Sequence, residues 1–265
     1  MREPRFEEIL GVRFFNGRGT DAVEYISRTG GYTVVPAAPA LANIHCDEDY
    51  RRALMESDLA IADSGFMVFL WRVLRRRKVV RTSGLQYLQI LLDKKELREP
   101  GHLFLILPTE MAQVKAQRFL RREGYEIAAA DTYIAPIYRS DVADQQLVSI
   151  LKVNQPAHVI IGIGGGVQEK LGLYLRENLA YRPAIHCVGA ALGFLTGDQK
   201  PIPDWADHLY LGWLLRLVRQ PKVFAKRFLR AFELPWLIWK YGKNLPPLSQ
   251  RQGDNEKTKP QDHRS

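Results

Sequence analysis

The run His158-Val-Ile-Ile-Gly-Ile-Gly-Gly-Gly-Val-Gln-Glu-Lys170 constrains the fold more than any other stretch of the chain. β-Branched apolar residues lead into a glycine-rich turn, and a helix-compatible segment opens at Val167. A buried strand that ends in glycines and hands over to a helix N-terminus brings backbone N–H groups close to an anion. The spacing fits neither standard phosphate motif. No Gly-Lys-Ser/Thr follows Gly164-Gly165-Gly166, and Gly162, Gly164 and Val167 miss the third glycine of the dinucleotide fingerprint. What marks the turn is the polar pair Gln168-Glu169 at the start of its helix.

The same alternation runs along most of the chain. Apolar, β-leaning runs predict strands at 32–38, 59–63, 103–107, 125–130, 159–163 and 185–188. Amphipathic runs predict helices at 20–28, 47–57, 65–75, 85–92, 110–122, 142–153 and 167–179. Strands separated by helical runs of this length imply right-handed crossovers and an α/β, Rossmann-like, mainly parallel sheet flanked by helices. Ligands of such sheets bind beyond the carboxyl ends of the strands, so residues there take the functional reading first.

Two cysteines far apart in sequence, Cys46 and Cys187, give neither a disulfide framework nor metal-ligand spacing. Met1–Glu8 has no apolar centre, so a secretory leader is not expected, and no run of about 18 apolar residues suggests a spanning helix. The net charge of +9 is unevenly placed. Eight Lys/Arg lie between Trp213 and Lys243 (Arg216, Arg219, Lys222, Lys226, Arg227, Arg230, Lys240, Lys243) against the single acid Glu233. One localised basic surface follows, rather than a nucleic-acid coat.

Asp63 closes the run Leu59-Ala-Ile-Ala-Asp63, and Ser64-Gly65 then turns into an apolar helix. Its position suits either a cap of that helix or a carboxylate at the ligand edge acting as general base. Arg81, in Val79-Val-Arg-Thr-Ser-Gly84, is either a surface arginine or an anion clamp, since a planar guanidinium suits phosphate oxygens. Asp47-Glu-Asp49 matches an acid-x-acid metal pattern but stands where a helix should begin, and helix-start acids are the preferred reading.

From Pro221 onward, Phe224, Phe228 and Phe232 recur at i+4, as do Lys222, Lys226 and Arg230. The two rows lie about 200° apart on a helix of 3.6 residues per turn. That is a basic amphipathic helix, followed by Leu234-Pro-Trp-Leu-Ile-Trp239 with two tryptophans suited to a membrane interface; a helix docked on the protein with a solvated basic face is the alternative, and nucleic-acid binding the less favoured one. Beyond Asn244 a Pro-, Gln-, Lys- and Asp-rich tail to Ser265 reads as disordered. The division expected is a Rossmann-like domain over 1–200, a membrane-associating helical appendage over 201–243 and a tail over 244–265.

In order, these pieces resemble the WecG/TagA/CpsF glycosyltransferase family from about Val12 to Phe232. Asp63-Ser-Gly65 loosely matches the family's aspartate-glycine strand end. Arg81-Thr-Ser-Gly84 matches its arginine before a glycine and a helix, and Gln168-Glu169 its Gln-Glu pair after a turn. The small-residue loop Val188–Gly197, Pro201–Trp205, Trp213-Leu-Leu-Arg-Leu217 and Gln220-Pro221 follow in the family's order. The chain departs at Pro36-Ala-Ala-Pro39, where the family has Thr-x-Asn, and at Gly193 and Gly212, where it has acids.

The resemblance implies inverting transfer of a sugar, of the N-acetylmannosamine type or related, from a UDP-sugar. The acceptor would be a polyprenyl-diphosphate-linked saccharide at the cytoplasmic face of the cell membrane, in cell-envelope polysaccharide synthesis. It implies Asp63 as base, and Arg81, Gly164, Gly165, Gln168 and Glu169 as substrate-binding residues. Arg216, Arg219, Lys222, Lys226, Arg227 and Arg230 would meet lipid headgroups or the acceptor diphosphate. No cofactor and no obligatory metal are implied, an anionic membrane surface is the expected partner, and a homo-oligomer is left open. The alternative is a non-catalytic sugar-nucleotide-binding or scaffolding protein at the membrane.

Overall fold

The computed structural model describes residues 4–138, 142–197 and 230–249. Eight strands form one sheet: β1 (Phe6–Ile9), β2 (Val12–Phe15), β3 (Gly31–Val34), β4 (Leu59–Ala60), β5 (Leu103–Leu107), β6 (Thr132–Ile134), β7 (His158–Ile161) and β8 (Ala184–Cys187). Their order is β1-β2-β4-β3-β8-β7-β5-β6. All neighbours are parallel except the β1–β2 pair. The helices are α1 (Gly19–Thr29), α2 (Ala38–Leu41), α3 (Glu48–Met55), α4 (Gly65–Arg75), α5 (Gly84–Leu92), α6 (Glu110–Arg122), α7 (Gln145–Asn154), α8 (Val167–Asn178), α9 (Ala191–Leu195) and α10 (Glu233–Tyr241).

Both faces of the central strands are buried, which is why β5 reads as a continuous apolar run and β7 and β8 as apolar runs broken only by the buried His158 and His186. Alternate residues feed two cores. Tyr32, Val34, Phe104, Ile106, Val159 and Ile161 pack with Tyr50 of α3, Trp71 of α4, Leu147 of α7 and Leu171 of α8. Leu103, Leu105, Leu107 and Ile160 pack with Val23 of α1, Leu88 of α5, Leu120 of α6 and Leu192 of α9. This is the expected α/β architecture, with helices on both faces of a mainly parallel sheet.

A buried polar chain pins α5 beneath the sheet. Tyr87 shares hydrogen bonds with Thr33 Oγ1 (3.4 Å) and His186 Nδ1 (2.8 Å), and His186 Nε2 meets His158 Nδ1 at 3.0 Å. Burial pushes His158 down to about 4 and holds His186 well below the usual imidazole range. Both rings are therefore neutral near pH 7, as a stacked pair under a sheet must be.

Two expectations fail. Residues 125–130 are no strand. Tyr125 and Ile127 alternate inward only as loop side chains, with the Tyr125 hydroxyl donating to Leu92 O, and the edge strand forms later at Thr132–Ile134. The β1–β2 hairpin was also not foreseen. Its turn is Leu10-Gly11, with φ of 53° and 81°, and not the Asn-Gly that signals a hairpin in sequence.

Tertiary contacts hold that turn. The Leu10 and Gly11 amides donate to Gly242 O (2.8 Å) and Lys243 O (2.7 Å). A side chain at Gly11 would lie 2.9 Å from Leu245 Cβ. Residues 244–249, assigned to the tail by composition, continue this clamp: the Ser249 amide donates to His45 O at 2.7 Å, and Arg51 Nη1 to Pro246 O at 2.5 Å.

α10 docks through Leu234, Leu237 and Ile238, all buried, while Arg75 Nε of α4 donates to Ile238 O at 3.1 Å. Three such side chains contribute about 4.5–9 kcal/mol before the entropy of ordering the helix. Arg216, Arg219, Lys222, Lys226 and Arg227, with the predicted phenylalanine row up to Phe228, lie outside the described residues.

Candidate active site

Two helix starts meet at the carboxyl end of β4. Ser64 caps α4, its hydroxyl accepting from Met67 N (3.1 Å), and Ser83 caps α5 in the same way from Gln86 N (3.1 Å). Asp63 is therefore not the cap of the helix that follows it. Its Oδ1 accepts instead from Gly84 N at 2.8 Å, at the positive N-terminal end of α5. Arg81 comes to the same place, with its Nε donating to Asp63 O at 2.8 Å.

The surroundings of Gly84 define this wall. A Cβ there would sit 3.3 Å from Val35 Cγ1, 3.8 Å from Ala191 Cβ and 3.8 Å from Asp63 Oδ1. The loops after β3, β4 and β8 thus converge on one point. Val35 lies within the run expected as a strand over 32–38, which ends at Val34, and Ala191 within the small-residue loop Val188–Gly197; neither side chain was singled out in the sequence.

The second wall is the glycine turn after β7. Gly164 and Gly166 have φ of 113° and 98°, which only glycine adopts without strain. Glu169 is fully buried and builds the turn from below: its Oε2 accepts from Gly166 N at 2.6 Å and its Oε1 from Gln168 Nε2 at 3.2 Å. Burial pushes the Glu169 carboxyl up to about 7 against the pull of these hydrogen bonds. Gln168 also donates to Cys187 O at 3.2 Å, and its buried Oε1 has no hydrogen-bond partner among the described residues.

Gln168 and Glu169 therefore lie beneath the turn and support it, while Gly165 is exposed at its rim. A side chain on Gly189 would touch Gln168 at 3.3 Å, and one on Gly165 would touch Ala40 of α2 at 3.7 Å. The loops after β3 and β8 thus join the two walls. In sheet order β4, β3, β8 and β7 are adjacent, so the walls stand about 14 Å apart at the usual strand spacing. That span suits an extended ligand.

Asp47 behaves as a helix-start acid. It caps α3, accepting from Tyr50 N at 3.0 Å, and pairs with Lys170 at 2.8 Å. Two depressions lie elsewhere. One is on the outer face of α6, beside Arg118 and Arg121; the other, of about 230 Å³, is at the amino ends of β3 and β8. In the latter, Arg176 and Arg182 are already bonded to Glu56 and Asp58, so convergence of polar groups favours the carboxyl edge.

The sequence model of the glycosyl transferase WecG/TagA/CpsF family matches residues 7–248. The chain belongs to that family. No curated protein matches it in a direct comparison. Membership of the WecG/TagA/CpsF family makes the chain a glycosyltransferase of cell-wall polysaccharide synthesis, with a sugar-nucleotide donor and a lipid-linked acceptor. Among the described residues no helix is long and apolar enough to cross a membrane.

Proposed function

We propose that the enzyme transfers an N-acetylmannosamine-type or related sugar from a UDP-sugar to a polyprenyl-diphosphate-linked saccharide, with inversion, at the cytoplasmic membrane face. The observation that carries this reading is Asp63, a half-buried carboxylate at the carboxyl end of β4 beside Arg81 and the N-terminus of α5. In the proposed step Asp63 takes the proton of the acceptor hydroxyl as its oxygen attacks the anomeric carbon. The bond from that carbon to the UDP oxygen breaks on the opposite face, and UDP leaves with the electron pair. One in-line displacement inverts the centre.

The leaving diphosphate needs electrostatic help, which amide groups of the Gly164-Gly165 turn can supply, while Arg81, on the Asp63 wall, is assigned to the acceptor. Gln168 and Glu169 act through the turn they hold. Arg216, Arg219, Lys222, Lys226, Arg227 and Arg230 are assigned to lipid headgroups or the acceptor diphosphate. Of these, Arg230 is exposed and donates to Asn43 Oδ1 at 2.8 Å, next to α2.

The test is a donor screen by mass spectrometry, with a membrane lipid extract as acceptor. Transfer from one UDP-sugar, lost in Asp63→Asn with the fold intact, is the expected result. Binding of UDP-sugars without any turnover would overturn it.

A further inference from the structure

α4 and α10 lie side by side in one helical layer, and each turns an apolar row away from the core. On α4 the outward residues are Phe69 (53% exposed) and Val73 (56%), one turn apart. On α10 they are Trp236 (49%) and Trp239 (66%), with Phe232 (58%) at its N-cap. Five large apolar side chains exposed on two packed helices exceed the scattered singles of an ordinary surface.

Among the described residues the exposed charges on and just after these helices are mostly positive, although Arg77 is paired with Glu7. Arg72 and Arg76 are exposed on and just after α4, followed by Arg77 and Lys78. Lys240 and Lys243 are exposed on and just after α10. The Lys240 ammonium sits 4.7 Å from the Trp236 ring centroid and 5.3 Å from that of Tyr241. The only acid on either helix, Glu233, lies 3.4 Å from His45 Nε2. Aromatic rings flanked by long cations suit a boundary where hydrocarbon meets anionic headgroups.

A second copy of the chain fits this surface poorly. A two-fold contact would bring the cations Arg72, Arg76, Lys240 and Lys243 of both copies together in a drying interface. An anionic lipid leaflet accepts both the rings and the cations.

We propose that α4 and α10 together form the membrane-contact face, with Phe69, Val73, Trp236 and Trp239 inserted among anionic headgroups. The proposal deepens the membrane-face reading above by adding a helix of the catalytic layer. Asp63 stands one residue before Ser64, the N-cap of α4, so contact through α4 would hold the candidate base close to the start of a helix that touches the lipid. A lipid-linked acceptor could then meet Asp63 without leaving the membrane.

The experiment is co-flotation of the full chain with phosphatidylcholine vesicles, with and without one-third phosphatidylglycerol. Trp emission quenching by acyl-brominated lipid serves as a second readout. Binding should need the anionic lipid. Phe69→Gln with Val73→Gln should weaken it at least about tenfold, because two inserted apolar side chains are lost. Trp236→Gln with Trp239→Gln should reduce the quenching, leaving what Trp71, Trp205 and Trp213 contribute.

Circular dichroism melting identifies a variant that fails to fold, and Arg72→Glu with Arg76→Glu, which changes no buried group, then takes its place with the same expected loss. Undiminished flotation of a folded α4 variant would overturn the proposal. So would concentration-dependent dimerisation of the wild type that the α4 substitutions remove. None of these readouts uses turnover. Failure of the transferase reading would show instead as absence of transfer to a detergent-dispersed acceptor, which the α4 variant should glycosylate like the wild type.

Discussion

The Asp63 carboxylate receives the Gly84 amide at 2.8 Å, so the residue proposed as base is tied to the first turn of a helix that starts 21 positions later. The same bond joins the two helix starts at the carboxyl end of β4, and Arg81 closes the arrangement on the Asp63 carbonyl. Chemistry and local order thus share one side chain, and they can be separated.

Asp63→Asn keeps an oxygen able to accept from Gly84 while removing the basic carboxylate. Transfer should fall about 10²–10⁴-fold, the usual worth of a positioned base. The urea midpoint should shift by less than about 1 kcal/mol equivalent, since the bond from Gly84 N survives. Paired turnover and urea-unfolding measurements check this. Retained turnover would sink the base assignment.

The strand end was legible at Asp63, because Leu59-Ala-Ile-Ala-Asp63 is a buried run closing on a polar residue before Ser64-Gly65. Its partner was not. Gly84 returns to Asp63 only after α4 and an irregular stretch, and nothing local in sequence reports that return. The glycine turn shows the same division. Gly164–Gly166 announced a close approach, but whether Gln168 and Glu169 face ligand or core depends on β8, whose Cys187 carbonyl takes the Gln168 amide. The Leu10-Gly11 turn was illegible for a related reason, since the bonds holding its positive φ come from Gly242 and Lys243.

Gly164→Ala tests the turn. Nothing lies within 4 Å of a Cβ placed there, so the substitution acts through the φ of 113° alone. Strain of about 1–2 kcal/mol is expected in the unfolding midpoint. As the amides re-aim, KM for the donor should rise more than kcat falls. An unchanged KM, measured by initial rates, would remove the turn from the donor site.

Gly172, inside α8, is a packing requirement. A Cβ would lie 2.7 Å from Cys187 Sγ and 3.2 Å from the Tyr32 ring. Gly172→Ala should destabilise by about 1–3 kcal/mol despite the better helix propensity of alanine. Cys187→Ala in the same chain should recover part of that loss. Additive destabilisation in the double variant would show that the contact is not the cause.

Glu169 predicts a pH dependence of known sign. Burial raises its folded-state value to about 7 from an ordinary 4.5, so the penalised species is the buried carboxylate. Below 4.5 the group is protonated in both states and its contribution to stability is complete. As the pH rises toward 7 the unfolded chain releases this proton while the folded chain keeps it, and stability falls. Above about 7 both are ionised and the loss levels off, at a size on the order of 3 kcal/mol. Glu169→Gln cannot ionise, yet its side-chain oxygen can still accept from Gly166. The variant should therefore show a constant offset from the wild type below about pH 4.5, set by the Gln168 Nε2 bond its amide nitrogen cannot accept, and gain on it increasingly up to about pH 7. The difference between the two urea-midpoint curves isolates this group from the other carboxylates. A difference that stays flat across the window would mean that Glu169 ionises normally beneath the turn.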